Sequence, residues 1–343
     1  MQFREKKVAL IAGASSNLGL NLAIRLLEGI SSSTQLTLIV TSRTLPKVKE
    51  VISDIKKHAS SIGKDTNLAF DYLLVDFADM VSVLAAYYEL NKKYKRIDYV
   101  LINSAQGVYS GIDWIGACKE IIAHPIEGVT NPSYKTQRVG VKSRDGLGLV
   151  FQVNVFGPYY LIYKIKHLLQ NGGRVIWISS LMAHPKHLSF NDLQLVKSTE
   201  SYEGSKRLVD LQHVGTHKKL KEEFGIEQYV VEPGIFISYS FFQFLNFFTY
   251  YGMIFLFYLA RYLGSKSHNI SGYIAANAPI KCALGDQPRD VKVGSACERN
   301  GKEYLIYHEI DTTGAEDVTS YLEKLRVEWD KKLKDQIVDS RKI

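Results

Sequence analysis

The sequence predicts an α/β protein on a doubly wound parallel sheet, and three observations carry that prediction. Between residues 8 and 231, short β-branched apolar runs alternate with longer segments of helical period, the signature of strand–helix–strand units. The first run leads directly into a turn of small residues, Gly13-Ala14-Ser15-Ser16-Asn17-Leu18-Gly19, that opens a helix. The sixth run ends in Pro233-Gly234, after which the composition changes to an uncharged aromatic stretch.

In chain order the strands are expected at 8–12, 36–41, 69–75, 99–102, 174–178 and 227–231. The helices between them are expected at 20–29, 46–62, 80–94, 150–169 and 202–224, where apolar residues recur at helical spacing. Six strands with right-handed crossovers make a doubly wound sheet. The connection 107–148 is longer than a strand-to-helix loop requires, so it is read as inserted structure near the strand ends, where ligands bind. Three stretches follow from this: a dinucleotide-binding catalytic domain over 1–234, a substrate lid over 235–300, and a C-terminal extension over 301–343. The extension carries an amphipathic helix over 315–342, with Val318, Tyr321, Leu322, Leu325, Val327 and Trp329 in its apolar stripe. That stripe docks on its own domain or on a partner, and the first is preferred.

Composition narrows the function. With 46% apolar and 23% charged residues, the 343-residue chain is neither disordered nor of low complexity. The net charge of +8 is spread along the chain without a block of basic residues, which argues against nucleic acid and for anionic cofactors or membrane surfaces. Cys118, Cys282 and Cys297 are scattered, with no C-x-x-C pair, so neither a disulfide framework nor a metal site is expected and the compartment is read as reducing. The apolar run before Gly13 is too short for a signal peptide, which leaves the N-terminus on the cytosolic side.

The small-residue turn presents N–H groups suited to a pyrophosphate, with Gly13, Ser15, Asn17, Leu18 and Gly19 as candidates. At the end of the second strand Thr41-Ser42-Arg43 lacks the carboxylate that grips a ribose 2′-hydroxyl. Arg43 instead pairs with a 2′-phosphate, so NADPH is expected in preference to NADH. The bland alternative is an arginine covering an exposed strand end. Tyr202 and Lys206 stand four residues apart on one helix face, where a lysine cation favours the phenolate and brings the phenol toward working range.

The turn resembles the T-G-x-x-x-G-x-G turn of the short-chain dehydrogenases/reductases, with Ala12 for Thr and Asn17 for the middle Gly, a residue that tolerates positive φ. Residues 97–106 resemble that family's I-D-x-L-V-N-N-A-G strand, with Ser104 and Gln106 as departures. The order Asn154, Ser180, Tyr202, Lys206 and then Pro233-Gly234 completes the likeness over 8–234. The resemblance implies a Rossmann-type domain. It implies that Tyr202 is the general acid, Ser180 holds the carbonyl oxygen, Lys206 lowers the phenol's pKa and binds the nicotinamide ribose, and Asn154 holds a water linking Lys206 to solvent. Asp76, Asn103 and Pro233 join the cofactor-binding residues on the same ground. Ser180 and Tyr202 are farther apart than the family's usual spacing, so 184–198 is read as an insertion beside the substrate, with His184 and His187 as solvated loop histidines.

Residues 241–260 carry no charge, and 241–263 carry Arg261 alone. At 1.5 Å per residue, twenty residues reach about 30 Å, the thickness of the hydrocarbon core. The polar residues Gln243, Asn246 and Thr249 favour a helix or helix pair lying in the membrane interface, with a span and a buried core segment as alternatives. Together with the long connection and the insertion, this segment resembles the fungal 3-keto-steroid reductase family of ergosterol biosynthesis. That resemblance implies NADPH-dependent reduction of the 3-ketone of C-4-demethylated sterol intermediates to a 3β-alcohol. It places the chain at the endoplasmic reticulum membrane and lipid droplet, catalytic domain facing the cytosol. The implied company is the other sterol C-4 demethylation enzymes, their scaffold and oxidosqualene (lanosterol) cyclase. Reduction of a retinoid or fatty-acyl carbonyl, and an NADPH-binding scaffold, are the alternatives.

Overall fold

In the computed structural model, which describes residues 5–335, the chain begins β1 (Lys6–Ala12), α1 (Asn17–Gly29), β2 (Gln35–Ser42), α2 (Leu45–Ser61), β3 (Leu68–Leu74), α3 (Met80–Lys93) and β4 (Tyr99–Ile102). The long connection then forms β5 (Tyr109–Ile112), α4 (Trp114–Ala123), α5 (Glu127–Thr130) and β6 (Lys135–Gln137). It rejoins the alternating pattern through α6 (Leu149–Phe151), a π-helical turn (Gln152–Phe156), α7 (Gly157–Leu169), β7 (Arg174–Ile178), α8 (Ser201–Phe224) and β8 (Glu227–Glu232). The last third holds β9 (Ile235–Phe236), α9 (Phe247–Tyr262), β10 (His268–Ile270), α10 (Gly272–Ala275), α11 (Asn277–Leu284), β11 (Val291–Cys297), β12 (Glu303–Glu309) and α12 (Ala315–Leu333).

All six expected strands lie in one sheet of order β12-β11-β8-β7-β4-β1-β2-β3, parallel except for β12. Residues of one strand serve both faces. Leu10 and Ala12 pack with α3, α7, α8 and α12, while Ala9 and Ile11 pack with α1, α2 and α11. A strand buried on both sides reads as an unbroken apolar run, which is why β1 was legible. The sheet has two strands more than the six expected. β11 is built from small residues around a buried lysine, Lys292, and offers no apolar run to read.

Helix α12 docks on α8, burying Val318, Leu322, Leu325, Trp329 and Leu333. A Cβ at Gly215 of α8 would fall 2.6 Å from Thr319 Cγ2, so the close approach of the two helices requires glycine there. The stripe therefore covers its own domain. Val327, expected within it, is exposed instead. The end of the expected helix, 336–342, lies outside the described residues.

The aromatic stretch forms a 3₁₀ turn (Tyr239–Phe244) and then α9. Asn246 and Thr249, read from sequence as polar interruptions, are a capping box that starts the helix: Asn246 Oδ1 accepts from Thr249 N, and Asn246 N donates to Thr249 Oγ1. Phe247, Phe248, Tyr251, Phe255 and Tyr258 are exposed, so α9 is not a core segment. Its 16 residues make about 24 Å. Among the described residues no helix is long and apolar enough to cross a membrane.

Candidate active site

The turn after β1 is held from three sides. Gly13 has φ +74°, and a Cβ there would lie 2.9 Å from Ser104 Cα and N, so glycine is required for both conformation and space. Its N–H donates to Thr41 Oγ1 (3.0 Å) and its carbonyl accepts from Asn103 Nδ2 (2.9 Å). Ser16 caps α1, accepting from Gly19 N (3.0 Å) and from Asn103 Nδ2 (3.0 Å). The N–H groups of Asn17 and Leu18 have no protein acceptor among the described residues, which is what a helix N-terminus offers to an anion. Ser15 is exposed at the rim.

Asn17 does not take the positive-φ backbone expected of it; it is the first helical residue. Its side chain donates to the carbonyl of Ile237 (2.7 Å), tying the turn to the segment that leads to α9, and a Cβ at Gly272 would fall 2.6 Å from its Oδ1. Asn17 thus holds the start of the segment that leads to α9.

Beyond β2, Arg43 is exposed. Asp76 follows β3 in a turn, where Oδ1 accepts from Ala78 N (2.9 Å) and its own N–H donates to Ser82 Oγ (2.9 Å). Pro233 is buried at the end of β8, its carbonyl accepting from Asn269 Nδ2 (2.7 Å). The glycine-lined turn, the two free N–H groups and a positioned lysine fit a dinucleotide. The N–H groups of Asn17 and Leu18 would hold its diphosphate, with Gly13 and Gly19 leaving it room at the turn, and Lys206 would hold its nicotinamide ribose.

Tyr202 and Lys206 are brought together on α8, with Lys206 Nζ 5.6 Å from the Tyr202 ring centroid. Nζ donates to the carbonyl of Ile178 at the end of β7 (2.8 Å). Burial pushes Lys206 down to about 8, while Asp210 acts in the opposite sense. Burial, with Glu203 adding to it, pushes Tyr202 well above the ordinary phenol value. Burial, not the expected lowering by Lys206, sets the direction for the phenol. Tyr202 is a neutral phenol, the form that has a proton to give.

Asn154 sits buried in the π-helical turn, a widening of the helix common at functional sites. Its amide accepts from Gln106 N (2.7 Å) and donates to Gln106 O (3.0 Å) and Ser205 Oγ (2.9 Å). Ser205 in turn donates to the Tyr202 carbonyl (2.6 Å). These contacts tie Asn154 to the helix of Tyr202 and fix the backbone of Gln106, where the family motif has glycine. Ser180 accepts from Met182 N (3.1 Å) through Oγ, and its carbonyl accepts from Lys292 Nζ (3.2 Å).

Several contributors were not foreseen. From β6, Gln137 Oε1 accepts from Ser201 Oγ (2.9 Å) and from the Tyr202 N–H (3.0 Å), while its Nε2 donates to Glu203 (2.6 Å). The inserted hairpin thereby caps the catalytic helix, and its Tyr109 ring lies 5.9 Å from that of Tyr202. Beneath the site Asp210 accepts from Ser179 Oγ (2.5 Å) and Lys292 Nζ (2.8 Å), joining α8, β7 and β11. Asp210 follows Lys206 by four residues and was findable by spacing; Gln137 left no signal. The insertion before Tyr202 packs so closely that a Cβ at Gly204 would fall 2.7 Å from Leu195 Cδ2 and 2.8 Å from the His187 carbonyl. His187 is not solvated as expected: it is buried, with Nδ1 2.8 Å from Glu200. His184 is exposed. The three cysteines are free thiols.

Residues 7–236 match the short chain dehydrogenase family. The chain is 70% identical to the 3-keto-steroid reductase of Debaryomyces hansenii over 336 residues, 98% of this chain and 97% of that one. It is 57% identical to the 3-keto-steroid reductase ERG27 of Saccharomyces cerevisiae over 343 residues, covering 98% and 99%. Among solved structures, a 7 alpha-hydroxysteroid dehydrogenase complexed with NADH and 7-oxo glycochenodeoxycholic acid superposes with a TM-score of 0.54 at 15% identity, covering 81% of this chain and 88% of that one, a likeness of fold. The chain that carries this buried tyrosine–lysine pair beside a glycine turn therefore belongs to the short-chain dehydrogenase family, among its 3-keto-steroid reductases.

Proposed function

We propose that this chain reduces the 3-ketone of a C-4-demethylated sterol intermediate to the 3β-alcohol in ergosterol biosynthesis, with NADPH as reductant, at a membrane surface. The observation that carries the reaction is the buried pair of a neutral Tyr202 and Lys206 at the strand ends, in a chain alike over its full length to reductases named for a 3-ketosteroid. A nicotinamide dinucleotide supplies a hydride when bound. Tyr202 gives its phenolic proton to the ketone oxygen as the carbonyl carbon is reduced, a contribution typically worth 10²–10⁴-fold. Lys206, anchored on the Ile178 carbonyl, stays beside the phenol and holds the ribose. Ser180 lies at the end of the adjoining strand to hold the carbonyl oxygen.

The preference for NADPH rests on Arg43, exposed after a strand end that carries no carboxylate. Residence at the endoplasmic reticulum membrane and lipid droplet rests on the exposed aromatic side chains of α9, with the catalytic domain on the cytosolic side. The other C-4 demethylation enzymes, their scaffold and oxidosqualene cyclase are the partners such a location would supply. The test is the sterol profile of a strain lacking this chain. Accumulated 3-ketosterols, cleared by restoring the wild type and not by Tyr202→Phe, support the assignment; a normal sterol profile rejects it.

A further inference from the structure

Helix α4, inside the inserted hairpin, turns its apolar side outward. Asp113 caps it by accepting from Gly116 N (3.0 Å), and of its ten residues Ala117 alone is buried. Trp114, Ile115, Cys118 and Ile122 share one face, with Ile115 71% and Ile122 82% exposed. A helix that served only to cover the sheet would bury those positions. The site gives this helix no task either, since the hairpin reaches Tyr202 through Tyr109 and Gln137 on its two strands.

The outward face of α4 does not stand alone. The next helix, α5, packs against both α4 and α9. Two outward apolar helices, more than a hundred residues apart in sequence, are thus brought to one side of the molecule. Their combined charge identifies the occupant. The acidic groups of α4 are engaged away from its apolar face, Asp113 in the cap and Glu120 accepting from Ser133 Oγ (2.6 Å). Arg261 of α9 is buried, donating to the carbonyls of His268 (2.8 Å) and Asn269 (2.6 Å). Lys119 is exposed beside Trp114, Ile115 and Ile122, while the exposed carboxylate of Asp113 is held in the cap at the start of the helix. Apolar side chains rimmed by Trp and Tyr, with a lysine whose ammonium reaches outward, match the boundary of an anionic bilayer.

We propose that α4 is a second membrane-inserting helix, which with α9 seats the chain on an anionic bilayer. The proposal rests on the reading that α9 meets the membrane, and its test separates the two. Of the three tryptophans, Trp177 and Trp329 are buried and Trp114 is exposed, so Trp114 reports on α4. The full chain is mixed with phosphatidylcholine–phosphatidylserine vesicles, with or without bromine high on the acyl chains. Expected is bromine quenching that disappears in Trp114→Phe, while that variant still binds. Ile115→Ser combined with Ile122→Ser should weaken vesicle binding about 10-fold or more, with reduction of a small soluble ketone unchanged. Bound chain whose Trp114 escapes bromine and stays open to aqueous iodide overturns the proposal and leaves α9 as the anchor. Failure to bind vesicles at all removes both readings. A lipid-free dimer that Ile115→Ser/Ile122→Ser dissociates overturns it in favour of self-association.

Discussion

Around Tyr202 the polar atoms are matched across three separate parts of the chain: Gln137 caps the helix, Asn154 grips Gln106 and Ser205, and Asp210 joins Ser179 to Lys292. Around α9 the balance is reversed. Phe248 is 82% exposed and Phe247 70%, and Asn246 and Thr249 go into starting the helix. The catalytic floor is complete within the fold, because an unpaired buried polar group costs about 1–3 kcal/mol. The aromatic side is left uncovered by the described residues, and a contiguous apolar patch of this kind is uncommon on a soluble monomer. Chemistry and placement are therefore separable, and substitutions should separate them.

The largest effect is expected on the floor. Tyr202→Phe removes the transferable proton without touching the turn at Gly13, so turnover should fall by about 10²–10⁴-fold while NADPH affinity is retained. A variant that keeps most of its turnover would move the acid elsewhere. On the other side, Phe247, Phe248 and Phe255 changed together to Ser should lower vesicle partitioning by about 100-fold or more, at roughly 1.5–3 kcal/mol per side chain. The thermal midpoint should hold, because these rings are exposed and Phe257, which packs on His268, is left in place. Loss of folding would erase the contrast between the two regions.

Arg43→Ala comes next. A charge-assisted bond is worth about 1.5–3 kcal/mol, so NADPH should bind roughly 10- to 100-fold more weakly and NADH almost as before. Equal loss of both cofactors, titrated side by side, would make Arg43 a support of the fold. The smallest effect is on pH dependence. Lys206 is held at about 8 and is protonated below that value, so reduction should decline as pH rises through it. Asp210 raises the Lys206 value, hence Asp210→Asn should move the decline to lower pH. A limb that stays put or moves upward would detach Asp210 from the site.

Local signals made part of this legible. Five of the six strands showed as apolar runs because they are buried on both faces, whereas the edge strand β3, with Tyr72 and Leu74 exposed, showed by its Phe, Tyr and Leu residues. Tyr202, Lys206, Asn154 and Ser180 were identified by their order along the chain, and the structure brings Tyr202 and Lys206 together while joining Asn154 to Tyr202 through Ser205. What stayed hidden depends on distant partners. Lys292 reads as a surface charge until Asp210, eighty-two residues away in sequence, is placed beside it. Gln137 is an ordinary polar residue until its hairpin meets the N-terminus of α8. Asn246 and Thr249 mislead because one spacing serves both an interruption and a capping box. The outward face of α4 needs the fold to show that nothing among the described residues covers it.

The central claim is that the floor reduces a sterol ketone delivered from lipid, and a reconstituted assay meets it directly. Purified chain is given NADPH and a 3-ketosterol held in phosphatidylcholine–phosphatidylserine vesicles, and the sterol product and NADPH oxidation are followed together. One 3β-hydroxysterol per NADPH consumed, abolished by Tyr202→Phe, is the predicted result. No conversion of the ketosterol by a wild-type chain that binds both NADPH and vesicles would contradict it.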